Sequence, residues 1–345
     1  MTKHAFDKKL EALQALRSAS DSTSSCEQLR TALKDRNNYL VARAAAIVAE
    51  LKLEELIPDL LAAFDRFFMD PVKSDAKCLA KNAIARALKD LGHRGAPAYV
   101  RGMGHFQFEP AWGGSADSAG TLRGTCALAL TNCLMDDIEI LTYLADGLAD
   151  PETSVRIDCA MAIDQLGRTE GVPLLRLKLL SGDREPDVLG QCFASLLSLA
   201  PQDSVAFISR FLNSADQGIQ LEAASALAQC RERRAIEILE EFWQEPRLSL
   251  DVRRAVLISL GASPLPDAVE FLLSIISGES TELAVSAITA LATSRFRLEM
   301  RARVAAVVQQ RDRPELSSIF EQKFGPSAVP NRASNGGPDS IPDMR

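Results

Sequence analysis

Aromatic residues make up only 6 % of this chain of 345 residues, histidine occurs three times and tryptophan twice. Each scarcity excludes something. The three histidines (His4, His93 and His105) show no His–Glu pair and no helical His spacing, so the ligand sets of catalytic zinc or non-haem iron cannot be assembled. A serine or cysteine nucleophile needs a base, and only His105 lies in an unusual stretch. Cys78 is a candidate partner, but nothing in the spacing fixes their approach. No glycine-rich nucleotide motif follows a strand pattern. No apolar run approaches the ~18 residues of a membrane span. The net charge of -7 and pI of about 5.2 disfavour nucleic acid as the main partner, while leaving room for a local basic patch. The chain therefore reads as non-catalytic, without cofactor or metal, and without a membrane partner.

What is present is aliphatic: 47 % of residues are hydrophobic, so with so few rings the core must be built of Leu, Ala, Ile and Val. The pattern of Val155-Arg-Ile-Asp-Cys-Ala-Met-Ala-Ile-Asp-Gln-Leu-Gly167 recurs, with start points at Leu40, Ala80, Leu122, Val155, Val188, Ile219, Val252 and Leu283. Successive spacings are 40, 42, 33, 33, 31, 33 and 31 residues, the signature of stacked helical pairs. Within each unit apolar residues fall at plus four, five, seven, eight and eleven from the start, a broad helical face. Small residues at plus four and five (Ala44 and Ala45, Cys126 and Ala127, Ala223 and Ala224) let neighbouring helices approach closely. A single core stops growing near ~250–300 residues, whereas a solenoid extends by adding repeats. The expected fold is all-α: a solenoid of about eight to nine helical pairs without strands.

Three parts follow: an N-terminal capping helix and loop over residues 1–25, the repeats over 26–325, and a disordered Pro- and Gly-rich tail over 326–345. Met1 to Leu16 is amphipathic and lacks the apolar stretch of a signal peptide. Seven cysteines, an odd number placed mostly at core positions, point to a reducing compartment, hence the cytoplasm. Cys126, Cys159 and Cys192 share the plus-four position of consecutive repeats and are read as small core residues.

Five residues before each start point the chain carries Asp35, Asp75, Asp117, Asp150 and Asp183; one residue after it stand Lys81, Arg123 and Arg156. Stacked repeats would make these an acid–base ladder beside the turns. It either caps and orients the second helices, the favoured reading, or forms an electrostatic binding groove. The acid is lost in the last three repeats, where Ser214, Arg247 and Gly278 stand.

With this second-helix pattern, and with Asp150-Pro-Glu-Thr-Ser-Val-Arg156 as its best turn, residues 26–325 resemble the HEAT-repeat family in its bacterial, PBS-lyase-type form. The resemblance implies a right-handed superhelix with first helices convex and second helices concave. It also implies an interaction or scaffold role, with a protein or peptide as partner.

Two departures from the period stand out. Phe67–Lys73 and Gly104–Gly120 lengthen the turns of neighbouring repeats and should emerge side by side. The second holds His105, Phe106, Phe108, Glu109 and Trp112. Its aromatics either pack back over the rim, the favoured reading, or await a partner. With Arg123 and Arg156 these five form the candidate partner-binding set. A second candidate is the basic patch of Arg295, Arg297, Arg301 and Arg303, extended by Arg311 and Arg313. It could grip phosphate or be the solvated face of a terminal cap. Nucleic-acid binding and a bilin-lyase-like activity are thus the alternatives to a protein-binding scaffold.

Overall fold

The computed structural model describes residues 3–18 and 22–325; the tail expected over 326–345 lies outside the described residues. The chain forms two compact units, Met1–Ala235 and Ile236–Arg345.

Unit one opens with α1 (Lys3–Ala15) and α2 (Ser22–Leu33), followed by α3 (Asn38–Glu50), α4 (Ile57–Arg66), the short α5 (Pro71–Ser74), α6 (Leu79–Asp90) and α7 (Ala96–Met103). After two strands described below come α8 (Gly120–Leu130), α9 (Asp137–Gly147), α10 (Thr153–Leu166), α11 (Val172–Ser181), α12 (Pro186–Leu199), α13 (Pro201–Ile208) and α14 (Gln217–Gln229). The second helices stack in sequence, α3 on α6, α6 on α8, and so on through α10 and α12 to α14, as the start points predict. Unit two takes in most of α15 (Arg233–Trp243), then α16 (Leu250–Gly261), α17 (Pro266–Gly278), α18 (Thr281–Thr293), α19 (Arg297–Arg311) and α20 (Pro314–Phe324).

The positions read as core are buried. Ala44, Ala45, Cys126, Ala127, Cys159, Ala160, Ala223 and Ala224 are closed to solvent beside Leu40, Leu122, Val155 and Val188. Each fully buried large aliphatic side chain contributes about 1.5–3 kcal/mol. The cysteines fit against glycines of the first helices: a Cβ on Gly102 would lie 2.4 Å from Cys126 Sγ, and one on Gly147 2.2 Å from Cys159 Sγ. Thiol and glycine thus set how closely α7 meets α8 and α9 meets α10. All seven cysteines are free and buried. Burial pushes the Cys159 and Cys192 thiols up to about 12.

The expectation of a strand-free chain is corrected. β1 (Phe108–Ala111) and β2 (Gly114–Asp117) form an antiparallel hairpin inside the second long turn. No helix among the described residues is long and apolar enough to cross a membrane.

Candidate functional site

The ladder holds the turns of unit one. Asp117 Oδ1 accepts from the Gln107 and Ala119 amides, and Asp150 and Asp183 Oδ1 accept from the amides two residues on, at 2.8–3.0 Å. Asp75 instead reaches into its helix and accepts from the Ala80 and Lys81 amides. The same carboxylates meet the bases. Lys81 Nζ lies 3.0 Å from Asp75 with both side chains closed to solvent. Arg123 grips Asp150 through Nε and Nη2 (2.7 and 2.9 Å) and Asp117 through Nη1 (2.6 Å). Arg156 grips Asp183 in the same bidentate way at 2.8 Å, and Lys178 joins that carboxylate at 2.7 Å.

The bases also donate to main-chain carbonyls of the turns. Lys81 donates to Phe67 O, Arg123 to His105 O, and Arg156 to Asp150 O and Pro151 O. This half of the rung persists after the acid is lost: Gln220 donates to Leu212 O, and Arg253 to Trp243 O and Glu245 O. Arg311 does the same from α19 for Ile276 O, Ser277 O and Glu279 O. The structure thus places Arg123 and Arg156, two of the expected partner-binding set, inside the turns. Both are buried, and their donors are committed to the turns. Burial alone would raise the Asp117 and Asp183 carboxyls; amide donors and arginine at Asp117, and Arg156 and Lys178 at Asp183, outweigh it and hold both below the usual carboxylate range.

The two stretched turns emerge side by side, and polar contacts join them. Gln107 Nε2 donates to Asp75 O (2.8 Å) and to Glu109 Oε1 (2.6 Å). The same Glu109 oxygen accepts from the Lys77 amide (2.7 Å) and Ser118 Oγ (2.8 Å). Burial opposes the Glu109 charge, but these donors outweigh it and hold the carboxyl low. Lys77 (φ 61°) and Cys78 (φ 53°) both take left-handed backbone conformations without being glycine. Such residues cost on the order of 1–3 kcal/mol each and persist where surrounding contacts fix them. The Lys77–Glu109 and Asp75–Gln107 bonds are contacts of that kind.

The hairpin register gives the site its direction. Phe108 pairs with Asp117, Glu109 with Ala116, Pro110 with Ser115 and Ala111 with Gly114, and the turn is Trp112-Gly113. The positive φ of 91° falls on Gly113, where no Cβ obstructs it. Side chains alternate along a strand. Because Glu109 faces the neighbouring turn, Phe108 and Pro110 face away from it. Phe106 stacks on Phe108 (centroids 6.4 Å apart, planes at 9°), and the Arg123 guanidinium lies 4.1 Å from the Phe106 ring centroid. Trp112 at the tip is 106 % exposed, Phe108 62 % and Phe106 45 %. The favoured expectation that these aromatics pack back over the rim is corrected: the inward side is taken by Gln107 and Glu109, which leaves the apolar side in water. Neighbouring Met69 and Val72 are exposed as well.

His105 is not part of the outward strip. Its ring packs edge-on against Phe68 (4.8 Å), its Nε2 lies 3.2 Å from Gln107 Oε1, and burial favours the neutral ring. Cys78 is closed to solvent with its thiol pushed up to about 12 by burial, so a thiolate nucleophile is not populated near neutrality. Part of the basic patch is engaged within the chain. Arg297 donates to Lys323 O, Arg303 forms a bidentate pair with Glu270 (2.6 and 2.7 Å), Arg311 caps carbonyls, and Arg295 lies 5.5 Å from the Phe296 ring. Arg301 and Arg313 remain exposed, with no ion pair among the described residues.

Residues 206–292 match the HEAT repeats family. HEAT repeats are thus found over part of the 26–325 stretch whose pattern resembles them. No curated protein matches the sequence. Among solved structures, the chain is similar to one in the complex of CpcE and CpcF of phycocyanin lyase from Nostoc sp. PCC7120, at 16 % identity over 86 % of this chain and 94 % of that one, with a TM-score of 0.36. It is also similar to an engineered protein at 18 % identity, over 94 % of this chain and 95 % of that one, with a TM-score of 0.37.

Gln107 was missed by sequence reasoning, as was the anchoring role of Glu109. The signal was present in His105-Phe-Gln-Phe-Glu-Pro-Ala-Trp112, where polar or small residues alternate with Phe106, Phe108, Pro110 and Trp112 at the strand period.

Proposed function

We propose that this chain is a non-catalytic interaction scaffold. In this reading it is a cytoplasmic right-handed solenoid of eight to nine pairs that binds a protein or peptide through the hairpin strip and its second-helix face, without a cofactor. One observation carries the proposal: the 104–120 turn is tied to its neighbour by buried polar groups while Phe106, Phe108, Pro110 and Trp112 stand in water. A held apolar strip suits binding because little ordering entropy is lost on docking. Aromatic anchors that become fully buried at an interface typically carry ≥2 kcal/mol each, more than tenfold in affinity. The protein-binding reading is preferred to nucleic acid because Arg297, Arg303 and Arg311 of the basic patch already hold partners within the chain.

The test is co-purification from the native cell using wild type, Trp112→Ala and Phe108→Ala, with folding checked by circular dichroism. Loss of a specific protein with both variants is the expected result. Unchanged recovery from folded variants removes the hairpin from the binding site.

A further inference from the structure

The hairpin offers main chain as well as its apolar strip. One bond sets the phase of its ladder: the Ser118 amide donates to Gln107 O at 2.9 Å, one step beyond the Phe108–Asp117 pair. Along an antiparallel strand, main-chain groups turn towards the partner strand and away from it at alternate residues. Glu109, Ala111, Gly114 and Ala116 are therefore bonded within the hairpin. The main-chain groups of Phe108 and Pro110 on β1, and of Ser115 and Asp117 on β2, point out to its two edges.

The two edges differ. On β1, Pro110 has no N–H to offer, one of the ways in which exposed edges are blunted. On β2, Ser115 and Asp117 present two amides and two carbonyls, none of which bonds another described residue. Gly114, Ser115 and Ala116 are exposed and carry no large side chain to cover that edge. The Asp117 side chain, held by Arg123 and by the Gln107 and Ala119 amides, is only 4 % exposed, yet the residue as a whole is half-buried. What solvent reaches at Asp117 is thus mostly main chain, and the locked carboxylate keeps that end of β2 in place. Donors and acceptors repeating every two residues, roughly 7 Å apart, match another extended backbone. A helix pairs its main chain internally and has none to give along its side. A second copy of β2 would bring only Gly, Ser, Ala and Asp, with no large apolar side chain for the exposed rings of Phe106 and Phe108. Ser115 and Asp117 lie opposite Pro110 and Phe108 and share their face.

We infer that the outer edge of β2 takes an extended segment of the partner protein as a third strand, with its main chain bonded to Ser115 and Asp117 and an apolar side chain laid across Ser115 towards Phe108 and Pro110. The inference rests on the scaffold reading above, in which the hairpin is the binding site, and adds the form of the bound segment.

The test selects ten-residue peptides from a random display library on the immobilised full chain. The most enriched peptide is labelled with fluorescein and titrated by fluorescence anisotropy. Ser115→Pro removes one outward amide at an edge position, where proline is tolerated; Ser115→Ala keeps that amide and removes only the hydroxyl. Affinity should fall about tenfold or more in Ser115→Pro, with an unchanged melting curve, and stay near wild type in Ser115→Ala. N-methylation of single peptide bonds in the ligand gives a second reading that does not depend on a variant folding. It should abolish binding at every second residue of the bound stretch and spare those between. Several outcomes overturn the inference: no saturable binding up to about 1 mM peptide, full affinity in Ser115→Pro, or N-methyl effects without alternation. A dimer of the chain that Ser115→Pro dissolves also overturns it, in favour of a second copy at this edge. Full affinity in Ser115→Pro with loss in Trp112→Ala and Phe108→Ala removes the added strand and leaves the scaffold reading standing, whereas full affinity in all three removes both.

Discussion

Replacing Arg123 by alanine should be among the most damaging single changes in unit one. The side chain is 1 % exposed and makes four hydrogen bonds, two to Asp150, one to Asp117 and one to His105 O. Its removal leaves two nearly buried carboxylates facing a void without their cation, and leaves Phe106 without its stacking partner. Breaking a buried pair by deleting one member costs about 3–5 kcal/mol, because the uncompensated charge stays behind. At about 2–4 °C per kcal/mol for a unit of this size, melting should fall by roughly 6–20 °C. Thermal and urea unfolding followed by far-ultraviolet circular dichroism measure this. The Arg123→Ala, Asp150→Ala double variant should lose less than the sum of the singles, since it removes the orphaned anion. The exposed Arg303–Glu270 pair provides the contrast, since truncating it should cost no more than about 1 kcal/mol. A loss below about 1 kcal/mol for Arg123→Ala would refute the view that the ladder holds the turns.

Acidification should destabilise the protein in two stages. Burial favours neutral His93 and His105, whose folded pKa values lie below the ordinary one, so their contribution is present above pH about 6.5 and lost as pH falls through that range. Asp35, Asp117, Asp183 and Glu109 are held below the carboxylate range by their donors, and their contribution is lost further below pH about 4. Asp158 and Glu222, raised by burial, act in the opposite sense. Asp158→Asn with Glu222→Gln should therefore raise melting at pH 7 and steepen the acid decline; a melting temperature rising from pH 7 to 5 in that variant contradicts these signs. The seven thiols should resist a thiol-reactive dye at pH 8 until the chain unfolds, whereas rapid native labelling of Cys126, Cys159 or Cys192 would contradict their role as core filler. Gly147→Ala should cost about 1–3 kcal/mol through overpacking against Cys159, and Cys159→Ala should recover part of that loss in the double variant; equal stability of Gly147→Ala and wild type would sink the packing account.

The helical repeat was legible because each repeat presents the same buried face. Small residues at plus four and five announce close helix contact wherever they recur. The Asp–Arg ladder was also visible, since stacking alone brings equivalent positions together. What one sequence could not convey is that Arg123 bridges Asp117 and Asp150 from two successive turns, and so ends up sealed inside. The hairpin was legible in principle. Its period-two alternation runs only from Phe106 to Trp112, too short to stand out against long helices. The direction it faces depended on Gln107 and Glu109 reaching the neighbouring turn, a contact 32 residues distant along the chain. The carbonyl contacts of Arg297 and Arg311 were not legible, because capping leaves no mark in composition.

The central claim, that the hairpin strip meets a protein partner, is tested most directly by site-specific photocrosslinking in the native cell. A photoreactive phenylalanine is placed at Trp112 and, as a control, at exposed Leu180 of α11. The protein that co-purifies with wild type should crosslink through position 112 and not through 180. Crosslinking through 180 alone, or continued co-purification with no adduct at 112, would contradict the account.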